Sequence, residues 1–192
     1  MPPITDPEVA ALATISATLQ IEYTAEGIEW LNSPFAWIKS RPSRQVGTIG
    51  ERLVAGWLAA KDFDVVRSPD SDADRLVNGH RVEIKFSTLW KSGIYKFQQL
   101  RDQNYRFAIC LGISPFDVHC WAIPKEELLV RWRRSIETGR EVDGLQPQHG
   151  GADGRDTAWL TINPANPPGW LARFGGRLGS AAAVIEQIAR RA

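Results

Sequence analysis

The sequence predicts an α/β fold: a helix, three strands, a second helix and a fourth strand, with helical additions at both ends. Two observations carry this. Apolar residues at helical spacing give way near residue 62 to short runs with strand-like alternation. An Asn-Gly pair then sits between two of those runs and marks a hairpin. With 192 residues, one ordinary domain is expected, comprising an N-terminal helical addition (1–45), a core (48–123) and a C-terminal helix and loop addition (124–192).

Asp6 is placed to cap a first helix over residues 6–31, with Pro7 at its first position and Val9, Leu12, Ala13, Ile15 and Leu19 on one side. Pro34 and Arg41-Pro42-Ser43-Arg44 interrupt the pattern. Residues 48–61 should form the first core helix, its apolar face made by Ile49, Leu53, Val54, Trp57, Leu58 and Ala60. Strands are expected over 62–67, 74–77 and 80–87, then a helix over 95–103 and strands over 105–113 and 118–123. Pro124 should open a helix reaching Ile136, followed by a Gly-rich and Pro-rich loop over 138–154. A strand over 157–162 and a helix over 180–191 complete the expectation.

Composition narrows the function classes. Hydrophobic residues at 43% and charged residues at 23% fit a packed globular chain and exclude an unstructured tail. The net charge of +1 excludes a protein that coats DNA through bulk charge, so any nucleic-acid chemistry must be local. Cys110 and Cys120 stand alone in apolar runs, without the spacing of a zinc site, and read as buried thiols of a reducing cytosol. No apolar stretch approaches the ~20 residues that span a bilayer, nor is there a signal-like N-terminus. A cytoplasmic protein without a membrane partner is expected.

The chemistry lies in the hairpin. Counting outward from Asn78-Gly79, Val77 faces His80, Leu76 faces Arg81, Arg75 faces Val82 and Asp74 faces Glu83. Directly opposed side chains share a face, about 4.5–5.5 Å apart at Cβ. Lys85 lies two residues beyond Glu83 and joins them. Adjacent carboxylates repel unless a cation intervenes, and their oxygens suit a hard ion such as magnesium. Such an ion polarises a phosphoryl oxygen and acidifies a bound water, while the ammonium stabilises phosphate charge. Together the groups suit phosphodiester hydrolysis. The plainer alternative is a solvated hairpin edge with Lys85 neutralising its neighbours, but Val82 and Ile84 alternate with Glu83 and Lys85 in apolar surroundings.

Asp74, the residues through Val82, and Glu83-Ile84-Lys85 resemble the signature of PD-(D/E)xK nucleases, a superfamily that includes many restriction and DNA-repair enzymes. The resemblance implies a restriction-endonuclease-like core between about residues 48 and 113. It also implies magnesium, replaceable by manganese, on Asp74, Glu83 and the Ile84 carbonyl, with Lys85 as the catalytic lysine. Family members often carry a Glu on the first helix, a place that Glu51 occupies; Thr48-Ile49-Gly50-Glu51 also reads as a capping box. Asp70 and Asp72 are rival acids to Asp74. Register favours Asp74 and leaves Asp72 as a partner for Lys85.

In related nucleases the next helix borders the DNA, which points to Gln98 or Gln99 near the site and to Lys91, Lys96 and Arg101 at phosphates. Lys39, Arg41 and Arg44 form a phosphate clamp or a charged linker, and Trp90 and Trp170 stack on bases or pack at a dimer surface. His149, Asp153 and Asp156 read as loop residues before they read as another metal site. The resulting expectation is a restriction-like DNA endonuclease, working as a homodimer if it follows many such enzymes. A structure-specific repair nuclease, and an inactive DNA-binding module on the same fold, are the alternatives.

Overall fold

A computed structural model describes residues 5–149 and 156–190. The chain opens with α1 (Pro7–Glu26), a 3-10 turn (Ile28–Trp30), α2 (Ala36–Lys39) and α3 (Ser43–Ala59). Five strands and a sixth follow: β1 (Val65–Arg67), β2 (Arg75–Val77), β3 (His80–Thr88), β4 (Tyr95–Leu100), β5 (Phe107–Ile113) and β6 (Val118–Pro124). Then come α4 (Lys125–Thr138), β7 (Leu145–Gln148), β8 (Thr157–Ile162), a 3-10 segment (Gly169–Phe174), β9 (Gly175–Arg177) and α5 (Leu178–Arg190). The fold is mixed α/β.

A six-stranded sheet runs β1-β2-β3-β5-β6-β9, and a separate three-stranded sheet runs β4-β8-β7. Strands β3 and β5 pair in parallel, with Glu83 opposite Ala108 and Lys85 opposite Cys110. The remaining pairings are antiparallel. Because strand side chains alternate, the large sheet presents a different core on each face. Val82, Ile84 and Phe86 pack with Val54 and Leu58 of α3 and with Ala181 and Ile185 of α5. The opposite face of the sheet gives Ala108, Cys110, Trp121 and Ile123, which pack against Tyr95, Phe97, Leu100, Leu145 and Leu160 of the smaller sheet. The layers are thus helices, large sheet, small sheet, with Leu128 and Trp132 of α4 joining the second core.

Several expectations need correction. The helix expected over 95–103 is β4. Tyr95 and Phe97 alternate inward, the pairing with β8 then slips by a bulge between Phe97 and Leu100, and Gln99 takes φ 56°. The polypeptide between the parallel strands β3 and β5 therefore passes through a strand of the second sheet rather than through a helix. Helix α3 begins at Ser43, five residues before the expected start. Pro42 caps it and its carbonyl accepts the N–H groups of Gln45 and Val46. Thr48 is therefore inside the helix, its hydroxyl donating to the Arg44 carbonyl at 3.4 Å, and the capping-box reading fails. The loop expected over 138–154 contains β7, and β9 was not foreseen.

Other elements follow the reading. Asp6 Oδ1 accepts the N–H groups of Glu8 and Val9 and so caps α1. Cys110 and Cys120 are fully buried in β5 and β6. No helix among the described residues is long and apolar enough to cross a membrane.

Candidate active site

The hairpin forms because Asn78 and Gly79 accept positive φ, 48° and 80°, which a two-residue turn between twisted strands requires. Asn78 also fastens β1: its side-chain oxygen accepts the Asp64 N–H, and its own N–H donates to the Asp64 carbonyl, both at 2.8 Å. The observed register is the one counted from the turn, Val77 with His80, Leu76 with Arg81 and Arg75 with Val82. Asp74 precedes β2, and its N–H donates to the Val82 carbonyl at 3.0 Å.

That register brings the three sequence candidates together. Asp74 Oδ2 accepts the backbone N–H of Ile84 at 2.6 Å, which fixes the carboxylate beside the Glu83-Ile84-Lys85 segment. Lys85 Nζ lies 2.7 Å from Glu83 Oε1. Glu83 is only 6% exposed, and burial is the main reason its carboxyl is pushed above the usual carboxylate range. Asp74 adds to that rise, while Lys85 and Arg101 oppose it. A carboxylate this deep requires nearby positive charge to stay ionised.

Glu51 reaches the same neighbourhood from α3. The close approach depends on Gly50: a Cβ there would fall 2.2 Å from Phe86 Cβ, so only glycine lets α3 lie on β3 at this point. Glu51 Oε2 pairs with Arg75 at 3.4 Å. Burial and then Asp74 raise its carboxyl, against Arg75, Lys85 and Arg67. Asp74, just ahead of β2, is therefore coupled electrostatically both to Glu51 on α3 and to Glu83 on β3. The sequence reading missed Arg75 and Arg67 as its cations. Arg75 was legible in principle, because its register opposite Val82 puts it on the face that α3 covers.

The rival aspartates are elsewhere engaged. Asp70 forms a bidentate pair with Arg81 at 2.7 and 2.6 Å, and this contact holds its carboxyl below the usual range. Asp72 donates its N–H to Asp70, while Lys85 takes Glu83 as its partner, so Asp72 is not the residue holding the lysine. Of the expected DNA contacts, Arg101 acts electrostatically on Glu83. Gln98 and Gln99 are exposed at the β4 bulge rather than on a helix. Lys96 lies over the Trp90 ring at 4.5 Å. Trp170 is a packing residue: Arg131 stacks on it at 3.9 Å, Phe174 meets it edge-on, and its indole N–H donates to the Asp143 carbonyl. His149 and Asp156 approach at 3.3 Å on the surface, and Asp153 lies outside the described residues.

Among the described residues, no group of three or more His, Cys, Asp or Glu side chains is arranged to hold a metal by itself. The donor set at the hairpin is smaller: the carboxylates of Asp74 and Glu83 around the Ile84 peptide. Magnesium keeps several waters and binds through one or two carboxylates plus substrate phosphate, so this set fits the ion. The buried acid Glu83, offset by little more than one ammonium, fits it too.

No protein-family model matches this chain, and the curated proteins contain no significant relative.

Proposed function

We propose that the protein is a magnesium-dependent DNA endonuclease of the PD-(D/E)xK type, with manganese able to substitute. The observation that supports this most is that Asp74 Oδ2 accepts the Ile84 N–H while Glu83 and Lys85, on either side of Ile84, pair with each other. Asp74, Glu83 and the Ile84 carbonyl would hold the ion. When bound, the metal supplies Lewis acidity at the phosphate and a more acidic water. Lys85 would set its ammonium where negative charge grows on the phosphoryl oxygens, inside a half-buried site that strengthens the interaction. Glu51 and Arg75 border the site and position its acidic edge. The strand β4 in place of a helix departs from the family's core order, so the proposal rests on the site and not on the order of elements.

Digestion of a mixed plasmid and phage DNA pool, with and without magnesium, tests the reading. Discrete metal-dependent bands, absent in Lys85→Ala and Glu83→Ala while DNA binding persists, are expected of a restriction-like enzyme. A metal-dependent smear, or cutting confined to branched or single-stranded substrates, would assign it to the structure-specific class. Full activity in both variants would overturn the assignment of the site. An inactive module would bind DNA and cleave none of these substrates.

A further inference from the structure

Beyond Lys85, strand β3 runs into a basic trough. One part of it, about 370 Å³, is lined by Lys39, Arg41, Ser87, Trp90, Lys96 and Gln98 among others. An adjoining part of about 470 Å³ shares Lys39, Thr88 and Trp90 and adds Lys91. None of the described residues lining either part is acidic. In a chain whose net charge is only +1, the four cations Lys39, Arg41, Lys91 and Lys96 lining one trough make a local anion-attracting surface. Ser87 shares a strand face with Lys85, about 6.5 Å further along. The trough therefore begins within a few nucleotides' reach of the proposed catalytic lysine.

Trp90 stands in this trough as a fixed aromatic surface. It is 46% exposed, unusual for an indole that nothing forces outward. Its backbone is held in a tight turn: Trp90 N–H donates to the Ile94 carbonyl and Gly93 N–H to the Trp90 carbonyl, both at 2.9 Å, with Gly93 at φ 73°. Lys96 covers one side of the ring. The position of Lys96 is set in turn by its own N–H, which donates to the Ser87 hydroxyl at 3.0 Å. A rigid indole with a cation beneath it and further cations around it is the arrangement on which an unpaired base stacks while its backbone follows positive charge. In a duplex the base faces are already occupied by neighbouring bases, so only edges and phosphates would meet the trough.

We propose that this trough seats a single-stranded DNA segment flanking the scissile bond, with an unpaired base stacked on Trp90 and phosphates held by Lys39, Arg41, Lys91 and Lys96. The inference rests on the nuclease reading and names its substrate class: DNA that is unpaired, frayed or opened next to the cut.

The test is binding without cleavage. Fluorescence anisotropy with labelled oligothymidine and with a duplex of equal length, in EDTA, compares the wild type with Trp90→Ala, Trp90→Phe and the Lys39→Ala/Lys91→Ala double variant. Far-UV circular dichroism checks that each folds. The expected result is tighter binding of oligothymidine than of duplex, weakened about tenfold by Trp90→Ala and largely kept by Trp90→Phe. The double lysine variant should flatten the salt dependence. Unchanged oligothymidine affinity in Trp90→Ala, or an equal loss for duplex, would overturn the proposal. Because no metal or turnover is involved, selective loss of oligothymidine binding in Trp90→Ala supports the trough even if the wild-type protein proves to cut no DNA.

Discussion

Asp74 and Ile84 are joined by a carboxylate to backbone N–H bond of 2.6 Å, so one side chain both closes the mouth of the hairpin and sets the peptide between Glu83 and Lys85. Structure and charge at Asp74 are therefore separable. Asp74→Asn retains an oxygen for the Ile84 N–H and should melt close to wild type while losing metal-dependent cleavage. Asp74→Ala loses the bond as well and should be less stable by about 1.5–3 kcal/mol, the range of a hydrogen bond to a charged group. Thermal melts of the two variants beside a cleavage assay check this.

Gly50→Ala opposes two effects. Alanine is the better helix former by about 1 kcal/mol. The new methyl would meet Phe86 Cβ at 2.2 Å, which forces α3 and β3 apart. Overpacking of this kind costs about 1–3 kcal/mol, and here it should win. A lower urea midpoint for Gly50→Ala, partly recovered relative to Phe86→Ala in the double variant, is the expected double-mutant cycle.

His119 predicts a stability slope with pH. Burial lowers its pKa, Arg177 lowers it further, and Asp117, 3.8 Å from Nε2, opposes. The ring also stacks on Trp121 and meets the Tyr95 hydroxyl at 3.1 Å. With the folded value below the ordinary value of about 6.5, the unfolded chain takes up the proton first as pH falls. This contribution is complete above about pH 6.5 and declines as pH drops toward the folded value. Melting temperature measured across that window should fall less steeply in His119→Gln.

The two thiols should be silent in the folded protein. Burial pushes Cys110 up to about 12 and raises Cys120 as well, so neither presents a thiolate near neutral pH. A colorimetric thiol reagent should react with both cysteines only after denaturation. Rapid reaction of the native protein would contradict their burial.

The parts legible in the sequence were those specified locally. Asn78-Gly79 dictates its own turn, and once the turn is fixed, alternation puts Glu83 and Lys85 on one face beside Asp74. Strand β4 was misread because its alternation breaks at Gln98 and Gln99. Phe97 and Leu100 are then three apart, as on a helix, and the partner that makes this stretch a strand, β8, lies some sixty residues later. Strand β7 was hidden by Pro147, which is tolerated because β7 is an edge. Strand β9 was hidden by Gly175 and Gly176; at Gly175 a Cβ would fall 2.4 Å from the Cys120 carbonyl oxygen. Only the neighbouring strand makes sense of such residues.

Strand β3 is interior to the large sheet, flanked by β2 and β5, with its apolar face packed under α3 and α5. Partial opening events that release a terminus or one edge would leave it closed. Its amide protons should therefore exchange with solvent only when the whole molecule unfolds, together with those of β5. Residues charged with chemistry would then sit on the slowest-exchanging part of the chain, and motion needed to admit a substrate would fall to the segments around them.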